Sequence, residues 1–441
     1  LLMFKKLLVS FVSIITLLFS TASMSADLRI LKLWDQFENF GMSAAGPAFE
    51  KIIAEFKNEN EGVELARSVF GGGWPIRNAV ELALTSGDAP DVFYTWPSGA
   101  GLTAYAKEGY LLDLTPYAIK YGWFDRLPDW AIERNAFEGK LYAYPWEQDL
   151  EYVYYNKSIF KEIGQEIPTT WEEILGWCDN ARAHGYTPIS YSDAGAGWQA
   201  ANTITDIFAM VGGRQLGLDI LQGREKWNHP KMHEALDMFK EMVAHQCFTE
   251  GFLGIEYGEQ LAEFYTGDAT ATWTGTWVLQ SSVASMDAAD LDIFYMPAVK
   301  GNKQSSHFSE GSAFYINGST KHADLAASFI DYVTQPRWLQ TWIDDGYCLV
   351  IQRDELDWSQ FKAPPVVVKA MKEGIAFQDD MVDAFHTTVA PNVVQALYSG
   401  MQGVLAGTKS NDEFLDSMDS ASADATAVGN VWNPGDWRAN M

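Results

Sequence analysis

Three short, mainly apolar runs punctuate the first hundred positions of the chain: LRILKLW (Leu28–Trp34), VELARSV (Val63–Val69) and DVFYTW (Asp91–Trp96). Their length and their β-branched and aromatic content predict strands. Between the first two, Phe49, Ile52, Ile53 and Phe56 fall at the i, i+3, i+4, i+7 spacing of a helix with one core-facing stripe. Between the second and third, PIRNAVELALTSG has Pro75 where a helix would start and Gly87 where it would stop. Strands alternating with helices predict an α/β fold, with a parallel sheet covered on both faces.

The alternation resumes further along. KLYAYPWEQDLEYVYYN (Lys140–Asn156) predicts one or two strands broken at Pro145, and helices are predicted over Thr170–His184 and Pro230–His245. DIFYMPAV (Asp292–Val299) and SAFYING (Ser312–Gly318) read as strands separated by a polar loop. HADLAASFIDYVT places Leu325, Phe329, Tyr332 and Val333 on one helix face. The stretch TATWTGTWVL (Thr270–Leu279) is read as a helix start, with Trp273 and Trp277 one turn apart, one serving as a platform and the other as its packing support.

A chain of 441 residues exceeds what a single core usually organises, so two domains are expected. Lys5 and Lys6, the 13-residue apolar run Leu7–Phe19 and the small residues Ser20–Ala26 follow the order of a secretory signal, with cleavage between Ser23 and Asp27. That run is shorter than the about 20 residues a membrane span needs. Removing residues 1–26 leaves 29 basic and 58 acidic residues, a net charge of −29. Such a field repels nucleic acid and anionic lipid. No cysteine stands at the end of the signal for lipid attachment, so the exported chain is expected free in the periplasm, as a monomer. Of the three cysteines, Cys178, Cys247 and Cys348, two readings stay open: one disulfide with one free thiol, or three buried thiols. No CxxC pair, HExxH or GxSxG occurs, and no metal, cofactor or catalytic nucleophile is expected.

In open parallel sheets, ligands gather at the carboxyl ends of strands. Here those ends carry Trp34 with Asp35 and Gln36, then the loop with Trp74, then Tyr94 and Trp96. Trp146 follows a proline, and Trp198 sits in the glycine-rich SDAGAGWQ. Large rings in such loops lack the neighbours that would bury them, which suits platforms for a ligand. A sugar has one apolar C–H face, and stacking it on an indole hides about 60–80 Å² of apolar area, worth about 1.5–2 kcal/mol. Its hydroxyls need partners, which Asp35, Gln36, Glu147, Gln148, Asp149 and Glu310 can supply. A neutral saccharide uses both halves of this chemistry.

Five segments in order, SGDAPDVFYTW (Ser86–Trp96), AYAKEGYLLDLTPYA (Ala104–Ala118), YNKSIFKEIGQEIPTTWEEI (Tyr155–Ile174), ATWTGTWVL (Ala271–Leu279) and EGSAFYINGSTKHADLAASFIDYVTQP (Glu310–Pro336), resemble the extracellular solute-binding proteins of carbohydrate ABC transporters, the group that includes maltose-binding protein. The resemblance runs from about residue 28 to 350. It implies a two-lobe periplasmic binding protein of type II with hinge strands between the lobes. The lobes would comprise residues 27–145 with 298–350, and 146–297 with 351–441. The chain would cross near Ala143–Asp149 and return near Pro297–Glu310. It also implies a ligand site at Trp34, Asp35, Tyr94, Trp96, Trp146, Glu147, Trp198, Trp273 to Trp277, Glu310 and Gly311. The partners implied are a mono- or oligosaccharide and a membrane permease that reads the closed state.

Two other readings use the same residues. A secreted glycoside hydrolase would pair Glu147 with Asp149, or either with Glu310, but eight strand–helix repeats are absent. The same fold could instead hold a polyamine, since carboxylates beside aromatic rings suit ammonium groups.

Overall fold

The computed structural model describes residues 28–37, 45–71, 74–96, 99–195, 197–299, 307–309, 311–353, 356–378 and 380–440. The signal-like segment and Glu310 lie outside them. Strands form where the apolar runs predict: Arg29–Asp35, Val63–Val69 and Val92–Thr95. The helix Gly46–Glu59 buries Phe49, Ile52, Ile53 and Phe56, the four residues of the predicted stripe. Helix Trp171–Ala183 starts where the Thr170 hydroxyl accepts the Glu173 N–H.

The strands assemble into two principal sheets. The first runs in the order Val63–Val69, Arg29–Asp35, Val92–Thr95, Ala313–Ile316, Ala143–Pro145. Its first three strands are parallel, and Ala313–Ile316 is antiparallel to both of its neighbours. The second runs Val382–Asp383, His307–Ser309, Asp149–Asn156, Ala269–Gly275, Thr187–Ser190, with Leu291–Phe294 also pairing Asp149–Asn156. Both sheets are therefore mixed, not purely parallel as the strand–helix alternation predicts, because strands that arrive from the other sheet enter in the reverse direction.

Three chain segments pass between the sheets, and they are bonded to one another. Trp146 and Glu147 N–H groups both donate to the Ser312 carbonyl, at 3.2 and 3.1 Å. Gln148 N–H donates to Leu349 O (2.7 Å), and Ile351 N–H donates to Trp146 O (2.8 Å). Gly311 has φ +72°, and a Cβ there would lie 2.5 Å from the Glu147 carbonyl oxygen, so only glycine lets these segments approach. Beside this joint, the buried Arg134 guanidinium holds Asp383 of the second sheet at 2.9 Å and donates to the Thr387 hydroxyl at 2.6 Å. The C-terminal run after helix Asn411–Ala427 touches both halves: Trp432 is buried in the second core, and Trp437 stacks on Phe124 of the first.

Cys178 and Cys247 form a disulfide, with Cα atoms 4.9 Å apart, and Cys348 is free and buried. The bridge joins residues 69 apart in sequence, so it strongly restricts the unfolded chain. Reducing it is expected to cost about 2–4 kcal/mol, read as a lower urea midpoint with reductant than without. An unchanged midpoint would mean that the bridge does not limit the unfolded ensemble.

Candidate functional site

The candidate aromatic residues stand at or just beyond strand ends of the two sheets. On the first side, Trp34 closes strand Arg29–Asp35, half-buried and tilted against Phe70 at 5.1 Å. Trp96 follows strand Val92–Thr95, also half-buried, with the Arg77 guanidinium 5.9 Å from its ring centre. On the second side, Trp198 is the first residue of the helix Trp198–Leu221, after strand Thr187–Ser190. Its ring meets Tyr257 edge-on at 5.1 Å and Trp277 at 6.0 Å. The Trp277 indole N–H donates to the Tyr257 hydroxyl at 2.7 Å, and that hydroxyl shares a 2.7 Å hydrogen bond with Thr274. Three rings thus form one fixed, partly exposed aromatic group.

The stretch around Trp273 and Trp277 is built differently from its sequence reading. Ala269–Gly275 is a strand in the middle of the second sheet, followed by the short 3₁₀ turn Thr276–Val278; it is not a helix start. Trp273 is 1% exposed, lies in the second core and donates its indole N–H to Asp206 at 2.9 Å. Trp277 faces the other way and folds back over Gly275, where an added Cβ would lie 2.0 Å from its ring. Gly275 is there because that ring needs the space. One tryptophan is packing and the other is partly exposed, because Trp273 lies inside the strand whereas Trp277 falls in the turn after Gly275, where the chain leaves it.

Other predicted site residues are occupied within the protein. Asp35, expected to hold a ligand hydroxyl, is fully buried, and Arg67 takes both of its oxygens (2.6 and 2.7 Å) while Phe37 N–H adds a third bond. Its partner lies 32 residues away, on the neighbouring strand. Trp146 is 1% exposed and packs edge-on against Trp342 at 5.3 Å in the first core, so it is not a platform here. Tyr94 is buried, and its hydroxyl donates to Glu147 at 2.9 Å. Burial raises the Glu147 pKa, and hydrogen bonds from Tyr94 and Cys348 oppose this. The Asp149 carboxylate accepts from the Thr276 hydroxyl at 3.0 Å, and the Gln36 amide donates to Ser312 at 2.8 Å. Trp74 opens the helix Trp74–Ser86, but its side chain is outside the described residues, as is Glu310. Gly311 acts through the hinge contact given above.

Sequence reasoning missed four residues around these rings. Tyr257 supports both Trp198 and Trp277. Arg77 reaches from the first side far enough for its charge to act on the Tyr398 phenol of the second. Tyr398 packs against Gly197, just before Trp198, and its buried hydroxyl has no protein partner. Asp193, in the loop leading to Trp198, accepts the Ala200 N–H through Oδ1 (2.9 Å), and the Gln402 side chain, whose amide donates to the Asp193 carbonyl at 2.9 Å, also acts on its carboxyl. Asp193 and Trp198 share the quoted loop, so that signal was present; Tyr398 lies 62 residues beyond the end of the last recognised segment at Pro336. Among the described residues, no group of three or more His, Cys, Asp or Glu could hold a metal ion.

The bacterial extracellular solute-binding protein family matches residues 41–340 of the chain. The multiple sugar-binding protein of Streptococcus mutans serotype c is 25% identical over 314 residues, covering 67% of this chain and 70% of its own. A probable sugar-binding periplasmic protein of Rhizobium meliloti is 25% identical over 268 residues, covering 59% of this chain and 61% of its own. Among solved structures, a chitin oligosaccharide binding protein superposes with a TM-score of 0.80 at 21% identity, over 91% of this chain and 100% of that one. A structure from work on xylan utilisation by the thermophilic bacterium Caldanaerobius polysaccharolyticus gives 0.79 at 22% identity, over 89% and 99%.

Proposed function

Because the chain belongs to the bacterial extracellular solute-binding proteins, with their two-lobe type II α/β fold, it captures a ligand and is not an enzyme, and on that premise we propose that it is the sugar-binding component of an ABC importer. The lobes divide at the bonded segments Trp146–Gln148, Gly311–Ser312 and Leu349–Ile351 and close over a neutral mono- or oligosaccharide, and the closed monomer delivers it to a membrane permease from the periplasm. The observation that carries this reading is the set of four half-buried indoles, Trp34 and Trp96 at strand ends of one lobe and Trp198 and Trp277 at a helix start and a turn of the other. Each stacked sugar face is worth about 1.5–2 kcal/mol of buried apolar area, so two or three platforms give a large share of the about 8 kcal/mol in a micromolar complex. Contacts on both lobes are needed, because a ligand drives closure only through stronger binding to the closed state.

The test is a thermal-shift screen with maltotriose, raffinose, chitotriose, xylotriose and spermidine. A saccharide is expected to raise the melting temperature, and Trp198→Ala and Trp277→Ala are each expected to lose most of that rise. A shift from spermidine alone would replace the saccharide reading with the polyamine one. Shifts that survive both substitutions would remove these rings from the site.

A further inference from the structure

The C-terminal run 428–440 connects the lobes through residues outside the three hinge segments. Trp432 is 3% exposed in the second core and lines the same small cavity as Trp227. One residue on, the chain is already held by the first lobe: Asn433 O accepts the Glu138 N–H (3.0 Å), and Pro434 O accepts the Gly139 N–H (2.8 Å). Gly435 follows with φ +66°, and a Cβ there would lie 2.4 Å from the Gly139 nitrogen, so close approach requires glycine. Trp437 is 3% exposed and stacked on Phe124. The Arg438 guanidinium lies 4.2 Å from the Trp437 ring centre and binds Asp129 at 3.0 Å. Upstream, Lys107 of the first lobe donates to the carbonyls of Val428 (2.8 Å) and Gly429 (3.3 Å).

This run has two buried tryptophan anchors, one in each lobe, five residues apart. Five extended residues span at most about 17 Å, which sets a ceiling on the separation of the two anchor points while both stay seated. A hinge alone imposes no such ceiling. We propose that residues 428–440 are a tether that limits how far the lobes open, shrinking the range of open states and so favouring closure. The inference rests on the reading of the lobes as moving bodies, and its test requires no ligand.

Spin labels on Leu82→Cys in the first lobe and Ile167→Cys in the second, both exposed positions, report the interlobe distance in the unliganded protein. Inserting Gly-Ser-Gly-Ser between Trp432 and Asn433 keeps both anchors and adds up to about 14 Å of slack. The lengthened chain is expected to show a distance distribution extended by roughly 5 Å or more, a fraction of that slack. Trp437→Ala, which removes the buried first-lobe ring but leaves the Asn433 and Pro434 carbonyl bonds, is expected to extend it in the same direction by a smaller amount. A wild-type distribution that is already broad and unchanged in both variants would overturn the tether while leaving hinge motion intact. A narrow distribution, identical in all three proteins, would overturn the tether and the hinge reading together.

Discussion

Trp273→Ala is expected to lower folding stability by about 3–5 kcal/mol, the range for deleting a fully buried large aromatic side chain. The ring fills the second core between helix Trp198–Leu221 and the middle of the sheet, and little around it is free to collapse: its strand is buried along its whole length. The substitution also withdraws the indole N–H from Asp206, a buried carboxylate. Trp273→Phe separates the two effects, since it keeps most of the ring but not the donor, and about 1–2 kcal/mol is expected for it. Trp277→Ala, four residues on, should cost less than half as much as Trp273→Ala, because its ring is half-exposed. Urea unfolding of the three variants measures all of this. Equal costs for Trp273→Ala and Trp277→Ala would contradict the assignment of one ring to the core and the other to the gap.

The contrast between those two tryptophans shows what the sequence made legible. Thr270, Thr272, Thr274 and Thr276 alternate through the stretch, a period-two pattern of β-branched residues that marks a strand. The helix reading gave weight to the spacing of the two large rings and passed over that alternation. The strand of the first hinge crossing was readable because Pro145 interrupts an apolar run that resumes at Leu150, and the paired joint falls between them. Asp35 was not readable. A carboxylate at a strand end looks available until its partner is known, and Arg67 is brought beside it only by the parallel pairing of Trp34 with Ser68 and Asp35 with Val69. Trp146 was misjudged for a related reason, since Trp342, which covers it, is almost two hundred residues away. Periodicity reports which face of an element is buried, but not which distant element supplies the cover.

Asp193 gives the protein a testable pH dependence of stability. Burial pushes its carboxyl up to about 7, against the Ala200 N–H and the Gln402 side chain, which favour the ionised form. In the unfolded chain the group titrates near its ordinary value of about 3.9. Because the folded value is the higher one, the contribution is fully present below about pH 4 and is lost as pH rises through 7. At about 1.36 kcal/mol per unit, the ceiling on that loss is about 4 kcal/mol. Asp193→Asn retains an oxygen for the Ala200 N–H and cannot ionise, so it is expected to be more stable than the parent at pH 8 by up to this amount, with no gain at pH 4. Urea unfolding at pH 4, 6 and 8 checks it, and a gain independent of pH would refute the titration. The same variant decides what the residue is for. A buried carboxyl that weakens the free protein, in the loop that presents Trp198, is a cost that selection tolerates where the bound state needs the group. An Asp193→Asn protein that is more stable yet loses its sugar-induced thermal shift would place Asp193 among the ligand contacts, whereas one that keeps the shift would leave it as the acceptor of the Ala200 N–H and nothing more.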